Sequence, residues 1–191
     1  GGLAAETFAY LSFAKHRTGI QYFLQGKLQC SFEVPSTFGT ALSRDGRLAA
    51  FVTPQGAIQI HQLPEGKLLR TITAGPKGAF HPVFSPDHSL LAAFQEGQGV
   101  KVWHTATGRL CGAFPSFRLD HFQIGNACDR FFLFYDTAKH SVVFVETATL
   151  RVLDHLNPGV PNVPFAVSPD GRLLCVASGP EIKLQDFATC T

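Results

Sequence analysis

Histidine is the side chain in this sequence best suited to acid–base or metal chemistry near neutral pH. The eight histidines are His16, His61, His81, His88, His104, His121, His140 and His155. None pairs with another at the spacing used by metal-binding helices or zinc fingers, so the spacing predicts structural positions and no metal site. A central site that gathers residues from distant segments stays open, because spacing along the chain does not test it.

Aspartates recur at a regular interval, and this is the second pattern whose side chains could carry out chemistry. The four are Asp45, Asp87, Asp129 and Asp170, and the successive steps are 42, 42 and 41 residues. A ring of converging carboxylates could perform acid–base catalysis. Three of the four stand beside serine, proline or glycine, and in such turns an aspartate can bond its own backbone. The pattern therefore predicts that these aspartates form turns between strands.

Motifs of the common enzyme classes are absent. The sequence contains no GxSxG, GxxxxGK[ST], GxGxxG or HExxH segment. We therefore predict no catalytic residue, no metal ligand and no cofactor.

The cysteines are odd in number and none has CxxC spacing. They are Cys30, Cys111, Cys128, Cys175 and Cys190. This usage is typical of reduced thiols, which predicts an intracellular protein of the cytoplasm or nucleus. No apolar run approaches the roughly 18 residues that cross a bilayer, so no membrane partner is expected. The sequence lacks methionine and begins Gly1-Gly2, from which we expect a fragment, a processed chain or part of a longer one.

The composition predicts a folded chain of many short strands. Hydrophobic residues make up 45% and charged residues 16%, which is enough apolar material for a core. The 18 glycines and 12 prolines are spread along the chain, and such spreading favours frequent turns over long helices. The net charge is +2 and no basic run occurs, which argues against nucleic-acid binding.

A second marker repeats in the same register as the aspartates. Its copies are Gly26-Lys27-Leu28, Gly66-Lys67-Leu68, Gly108-Arg109-Leu110 and Leu150-Arg151-Val152, at steps of 40, 42 and 42 residues. A period of about 40–45 residues is typical of the four-stranded blade of a β-propeller. We place the blades at about 1–34 (partial), 35–74, 75–116, 117–157 and 158–191 (partial), all within one domain.

Each repeat contains four strand patterns separated by turn residues. In the second repeat the predicted strands are Phe38–Leu42, Leu48–Val52, Ala57–His61 and Lys67–Ile72. The same reading gives three strands in the first repeat, four in each of the next three and three in the last, about 18 in all. The predicted fold class is thus an all-β propeller with four to five antiparallel blades.

Several segments resemble the WD-repeat family. They are Phe84-Ser85-Pro86-Asp87, Val167-Ser168-Pro169-Asp170-Gly171 and Val100-Lys101-Val102-Trp103, together with the Gly-Lys/Arg-Leu turns. The resemblance covers almost the whole chain and implies a propeller that binds other proteins. Trp103 is the only tryptophan at the five equivalent positions, so we expect blades held mainly by apolar packing.

We expect these blades to be part of a seven-bladed ring, which needs about 28 strands, more than this sequence supplies. A five-bladed closed ring is the alternative, but the incomplete terminal blades fit it poorly. We therefore expect the rest of the ring to come from elsewhere in the protein or from a partner chain. Unpaired strand edges at both ends would favour pairing with another chain.

The loops on one face of such a ring are the candidate binding residues, because they mix charged, aromatic and imidazole groups. They are Lys77, Phe80, His81, Arg118, Asp120, His121, Asp136, Lys139 and His140. The leading hypothesis is an intracellular scaffold that docks proteins. Two alternatives stay open: a propeller-type hydrolase or dehydrogenase with its site at the central channel, and an RNA-binding propeller.

Overall fold

The chain folds into antiparallel β-sheets, as a computed structural model shows. The structure describes residues 7–14, 17–24, 26–35, 39–75, 78–115, 124–125, 130–136, 139, 141–156, 165–168, 172–178 and 180–186. These residues form strands, turns and bends, and none of them is helical. The expectation of an all-β chain is confirmed.

The described residues form five sheets, which we number in chain order. The first contains β1 (Thr7–Ala14), β2 (Arg17–Leu24) and β3 (Lys27–Pro35). The second contains β4 (Thr40–Leu42), β5 (Leu48–Val52), β6 (Ile58–Gln62) and β7 (Lys67–Ile72). The third contains β8 (Phe80–Phe84), β9 (Leu90–Gln95), β10 (Gly99–His104) and β11 (Leu110–Phe114).

The last two sheets continue the same plan. The fourth contains β12 (Ile124–Gly125), β13 (Phe131–Asp136), β14 (Ser141–Glu146) and β15 (Val152–Leu156). The fifth contains β16 (Phe165–Val167), β17 (Leu173–Ser178) and β18 (Glu181–Asp186). Each strand pairs antiparallel with its sequence neighbour in the same sheet, so the 18 described strands divide three, four, four, four and three as expected. Single strands differ from expectation by a residue or two: β6 begins at Ile58, one position later than expected.

The turn between the first two strands of a sheet is built by a serine and an aspartate. Ser85 Oγ donates to Asp87 Oδ1 at 2.6 Å and accepts the Leu90 N–H at 2.9 Å. Ser43 makes the same two contacts, with Asp45 at 2.7 Å and with the Leu48 N–H at 2.8 Å. Asp87 and Asp45 therefore form turns, as the sequence predicts. In the fifth sheet, Ser168 Oγ likewise accepts the Leu173 N–H at 2.8 Å, while Asp129 and Asp170 lie outside the described residues.

This turn chemistry makes stability depend on pH. Partial burial alone would raise the pKa of Asp87, but hydrogen bonds from Ser85 and Ser89 outweigh it and lower the pKa below its ordinary 3.8. An aspartate with a lowered folded-state pKa stabilises the fold above its unfolded pKa, and this contribution is lost as pH falls through the folded pKa.

We expect Asp87→Asn to unfold more easily at neutral pH, by less than about 1 kcal/mol because water screens the partly exposed carboxylate. Its free energy of unfolding should also fall less steeply than that of the wild type as the pH drops below about 4. Chemical denaturation at a series of pH values measures both effects, and Ser85→Ala, which removes the main donor to the carboxylate, should flatten the same slope. Curves that stay parallel to the wild type at every pH would contradict this role.

The turn before the last strand of each of the first four sheets has a left-handed backbone residue. Its φ is 73° at Gly26, 67° at Gly66, 71° at Gly108 and 56° at Leu150. Glycine adopts this conformation without a steric cost, which explains three of the four copies. The second sequence marker therefore identifies one recurring turn, and Leu150 keeps its conformation without being glycine.

A β-bulge recurs at one position of four sheets. The pairing of the last two strands shifts at Phe23, His61, Trp103 and Val145, each opposite the apolar residue of the marker turn. The last two steps between these positions are both 42 residues. The repeat read from the sequence is therefore also a repeat in strand register.

Neighbouring sheets pack face to face and share their cores. Ile58 and Ile60 of the second sheet are buried with Leu91 and Trp103 of the third. Phe51, on the opposite face of the second sheet, is buried in the core that holds Val34 of β3. The inner sheets thus bury apolar residues on both faces, which explains why strands such as β5 and β9 are almost continuously apolar.

The third and fourth sheets repeat this arrangement. Val100 and Val102 of β10 are buried together with Phe132, Val143 and Val145 of the fourth sheet. Backbones of neighbouring sheets come close at the first strands, since β8 contacts both β4 and β12.

Two loops make a close backbone contact between the second and third sheets. Gly56, in the turn after β5, has a φ of 77°, and a Cβ there would lie 2.2 Å from the Gly78 Cα. Its carbonyl accepts the Ala79 N–H at 2.9 Å, and Gln95, fully buried, donates to the Gly78 carbonyl at 3.3 Å. Only glycine allows this approach at position 56.

Candidate interaction surfaces

The predicted loop residues fall on two sheets, as far as the structure describes them. Lys77, Arg118, Asp120, His121 and His140 lie outside the described residues. Phe80 and His81 begin β8 of the third sheet, whereas Asp136 ends β13 of the fourth sheet and Lys139 lies in the following turn. The proposed role of these residues in partner binding stays a prediction.

His81 is held in a restricted environment. Its side chain is half-buried, its φ is 49°, and a Cβ on Gly39 would lie 3.1 Å from its backbone nitrogen. Burial lowers the pKa of His81 below its ordinary value, because the protein interior disfavours the charged imidazolium. A partner at this position would therefore meet a neutral imidazole at pH 7.

Asp136 and Lys139 differ in accessibility. Asp136 is fully buried and pairs with Ser141 across the β13–β14 hairpin. Lys139 is exposed at the tip of the same hairpin. Of this pair, the lysine is the side chain that a partner can reach directly.

His61 has a structural role. It occupies the position that holds tryptophan in the third sheet, and its Nδ1 lies 3.0 Å from the Gly66 carbonyl oxygen. Its ring also meets Phe51 edge to face at 5.3 Å between centroids. Both contacts fix the imidazole within its own sheet, as the histidine spacing predicts. No three His, Cys, Asp or Glu side chains come together as a metal site within the described part of the chain.

An apolar pair recurs on the third strand of the second to fifth sheets, and it is exposed only in the fifth. The pairs are Ile58/Ile60, Val100/Val102, Val142/Phe144 and Ile182/Leu184, from β6, β10, β14 and β18. The first six residues are at most 3% exposed, whereas Ile182 is 72% and Leu184 69% exposed. Leu173 of β17 is exposed as well. We call Leu173, Ile182 and Leu184 the open face.

A column of exposed apolar residues follows the outer strands. Leu28, Leu68, Leu110 and Val152 stand opposite the four bulge positions, one in each of the first four sheets. Singly exposed apolar residues are common on protein surfaces. The column therefore provides matched control positions for the open face.

No helix in the described part of the chain has the length and apolarity that a membrane crossing requires. Comparison with known proteins gives no assignment: no protein-family model matches the chain, and no curated protein matches it. The geometry of the sheets is therefore the guide to function.

Proposed function

We propose that the chain is a scaffold for protein–protein interaction, built as part of a WD-repeat-like β-propeller. The open face carries this proposal, because apolar residues there stand uncovered at positions where the preceding sheets are buried. Exposed contiguous apolar surface commonly marks an interaction site.

Three features support radial order among the sheets. The bulge recurs at one register position in four sheets. The inner sheets are buried on both faces, and neighbouring sheets approach each other at their first strands. In a propeller the first strand of each blade lies nearest the axis, so neighbouring first strands are close together.

The partner that fits the open face is a further sheet of the same kind. Ile58 and Ile60 are covered by the next sheet, through Leu91 and Trp103. Ile182 and Leu184 occupy the equivalent positions, so a sheet with alternating apolar residues would cover them in the same way. A missing blade, from another part of the ring or from a partner chain, has this chemistry.

Strand β18 offers a second attachment. In the second, third and fourth sheets the third strand pairs on both sides, but no described residue pairs with the outer edge of β18. An incoming strand can hydrogen-bond to such an edge through its main chain. The edge and the open face together select a β-rich partner over an isolated helix.

The test is capture of partners by the immobilised chain and by two double variants. Ile182→Asp/Leu184→Asp places charges on the open face, whereas Leu68→Asp/Leu110→Asp places them on the exposed column. We expect to capture proteins that bind the wild type and the Leu68→Asp/Leu110→Asp variant but not the Ile182→Asp/Leu184→Asp variant. Cross-links from Lys183, which is exposed on β18, should reach a strand-rich segment of the captured chain.

The control is the free energy of unfolding of each variant, which should stay close to that of the wild type because all four side chains are exposed. Capture that is unaffected by the open-face charges would contradict the proposal, as would equal loss in both variants.

A further inference from the structure

A cavity between the second and third sheets has the character of a ligand site. It has a volume of about 350 Å³ and is lined by Leu48, Ile60, Leu69, Arg70, His88, Ser89, Thr105 and Ala106. Small-molecule sites are typically apolar cavities of this order of size with a few convergent polar groups. Here the apolar walls come from the second sheet, and most polar groups come from turns of the third.

Two of the residues that line the cavity each have a polar side-chain atom that is buried and has no hydrogen-bond partner. These atoms are Thr105 Oγ1 and His88 Nε2. Thr105 is 7% exposed, and an unsatisfied buried hydroxyl costs free energy unless a ligand or water supplies a partner. Arg70 adds a positive charge, and it forms no ion pair with any described residue.

The equivalent threonine of the fourth sheet has a hydrogen-bond partner. Thr147 corresponds to Thr105, since each donates its backbone N–H across its sheet at 2.8 Å. The Thr147 hydroxyl donates to the Arg130 carbonyl at 3.1 Å, whereas that of Thr105 has no partner. The fourth sheet therefore contains an equivalent threonine whose hydroxyl is paired.

The interface of the second and third sheets has a glycine where the next interface has a leucine. Gly108 corresponds to Leu150, because each donates its N–H to the carbonyl four residues earlier. The Leu150 side chain lies 3.0 Å from a Cβ built on Gly112 and fills the later interface. At the earlier interface Gly108 has no side chain, and the alkyl chain of Arg70 lies beside it, with Cδ 3.1 Å from a built Cβ.

We propose that this cavity binds a small monocarboxylate with a short apolar body. Arginine recognises carboxylates through paired N–H donors. The Thr105 hydroxyl can donate a further hydrogen bond, and Leu48, Ile60 and Leu69 supply apolar contact. One arginine balances one carboxylate charge, which favours a monocarboxylate over a more highly charged phosphate. The source is a free acid or a glutamate side chain of a peptide, which present the same group.

The test is titration with 4-methylpentanoate, followed by the backbone amide resonances of Ser89, Thr105 and Ala106. The matched probe is 4-methylpentanamide, which has the same apolar body without the charge. We expect saturable binding of the acid. The amide should bind at least about tenfold more weakly than the acid, since a hydrogen bond to a charged group is lost. A capped glutamate peptide, titrated in parallel, distinguishes the two sources.

Two variants test the residues. Arg70→Met should weaken binding of the acid about tenfold or more, and Thr105→Val, which keeps the shape and removes the hydroxyl, should weaken it severalfold. Arg47→Met is the control, because Arg47 is 80% exposed and does not line the cavity. Equal binding of acid and amide, no saturation, or an equal loss in Arg47→Met would overturn the proposal. Since Thr105→Val keeps the backbone bond to Ser89, it remains informative if Arg70→Met fails to fold.

Discussion

Replacing Ile58 with alanine should lower the free energy of unfolding by about 2–5 kcal/mol, as expected for a large side chain removed from a packed core. Ile182→Ala should change it by less than about 1 kcal/mol. The two positions carry the same residue at the same place of the repeat. They differ in one respect: Ile58 is fully buried under the third sheet, whereas Ile182 is 72% exposed.

This pair of variants is its own control, since the chemical change is identical. Chemical denaturation followed by the fluorescence of Trp103, the only tryptophan, measures both. Similar losses at the two positions would show that the open face is covered in the isolated chain. An equally small effect at both would contradict the shared core between the second and third sheets.

Gly56→Ala should lower the free energy of unfolding by about 2–5 kcal/mol. Part of this cost comes from the left-handed backbone, which disfavours alanine by about 1–2 kcal/mol. The rest comes from the new Cβ, which would lie 2.2 Å from the Gly78 Cα, because backbone cannot move aside as a flexible side chain can. The contact joins two sheets, so the effect should extend beyond the turn itself.

Gly26→Ala separates the two causes. Gly26 has nearly the same φ, 73° against 77°, but no atom lies within 4 Å of a Cβ built there. It should therefore cost only the backbone term of about 1–2 kcal/mol. Thermal or chemical unfolding of the two variants measures the difference. Equal losses would mean that the approach of Gly56 to Gly78 contributes nothing to stability.

The strands could be predicted from the sequence because their local signals have direct physical causes. The segment Lys67–Ile72 is a strand with the bounds expected, since a glycine turn precedes it. The aspartate turns were equally predictable: an aspartate in a turn can bond its own backbone, as Asp87 Oδ1 does by accepting the Ser89 N–H at 3.1 Å. Such features depend on a few neighbouring residues.

The accessible surfaces could not be predicted in the same way. In the sequence, Ile182 and Leu184 look the same as Ile58 and Ile60, because an apolar pair on a third strand gives no sign of what covers it. The cavity was missed for a similar reason. Thr105 and Thr147 occupy equivalent positions, and the sequence does not reveal that only the Thr147 hydroxyl bonds a carbonyl across its own sheet. The sequence does show that Gly108 stands where the next repeat has Leu150. What occupies the space beside this glycine depends on Arg70, which comes from another sheet.

Shared cores should also link the sheets in stability. The second sheet shares apolar cores with both the first and the third. In repeat proteins, stability is approximately a sum over units and the interfaces between neighbours. Losses at the interface of the second and third sheets should therefore affect both sheets, while the fifth sheet, exposed on one side, is expected to unfold most easily.

The arrangement of sheets around an axis is tested most directly by three distances between equivalent exposed positions. Nitroxide-bearing residues at Lys67, Arg109 and Arg151, which follow the recurring turn in three successive sheets, allow pulsed electron resonance to measure each pair. A seven-bladed ring gives two equal steps and a 67-to-151 distance about 1.8 times one step, against about 1.6 times for five blades. Unequal steps, or a long distance about twice one step as in a straight stack, would contradict the propeller arrangement.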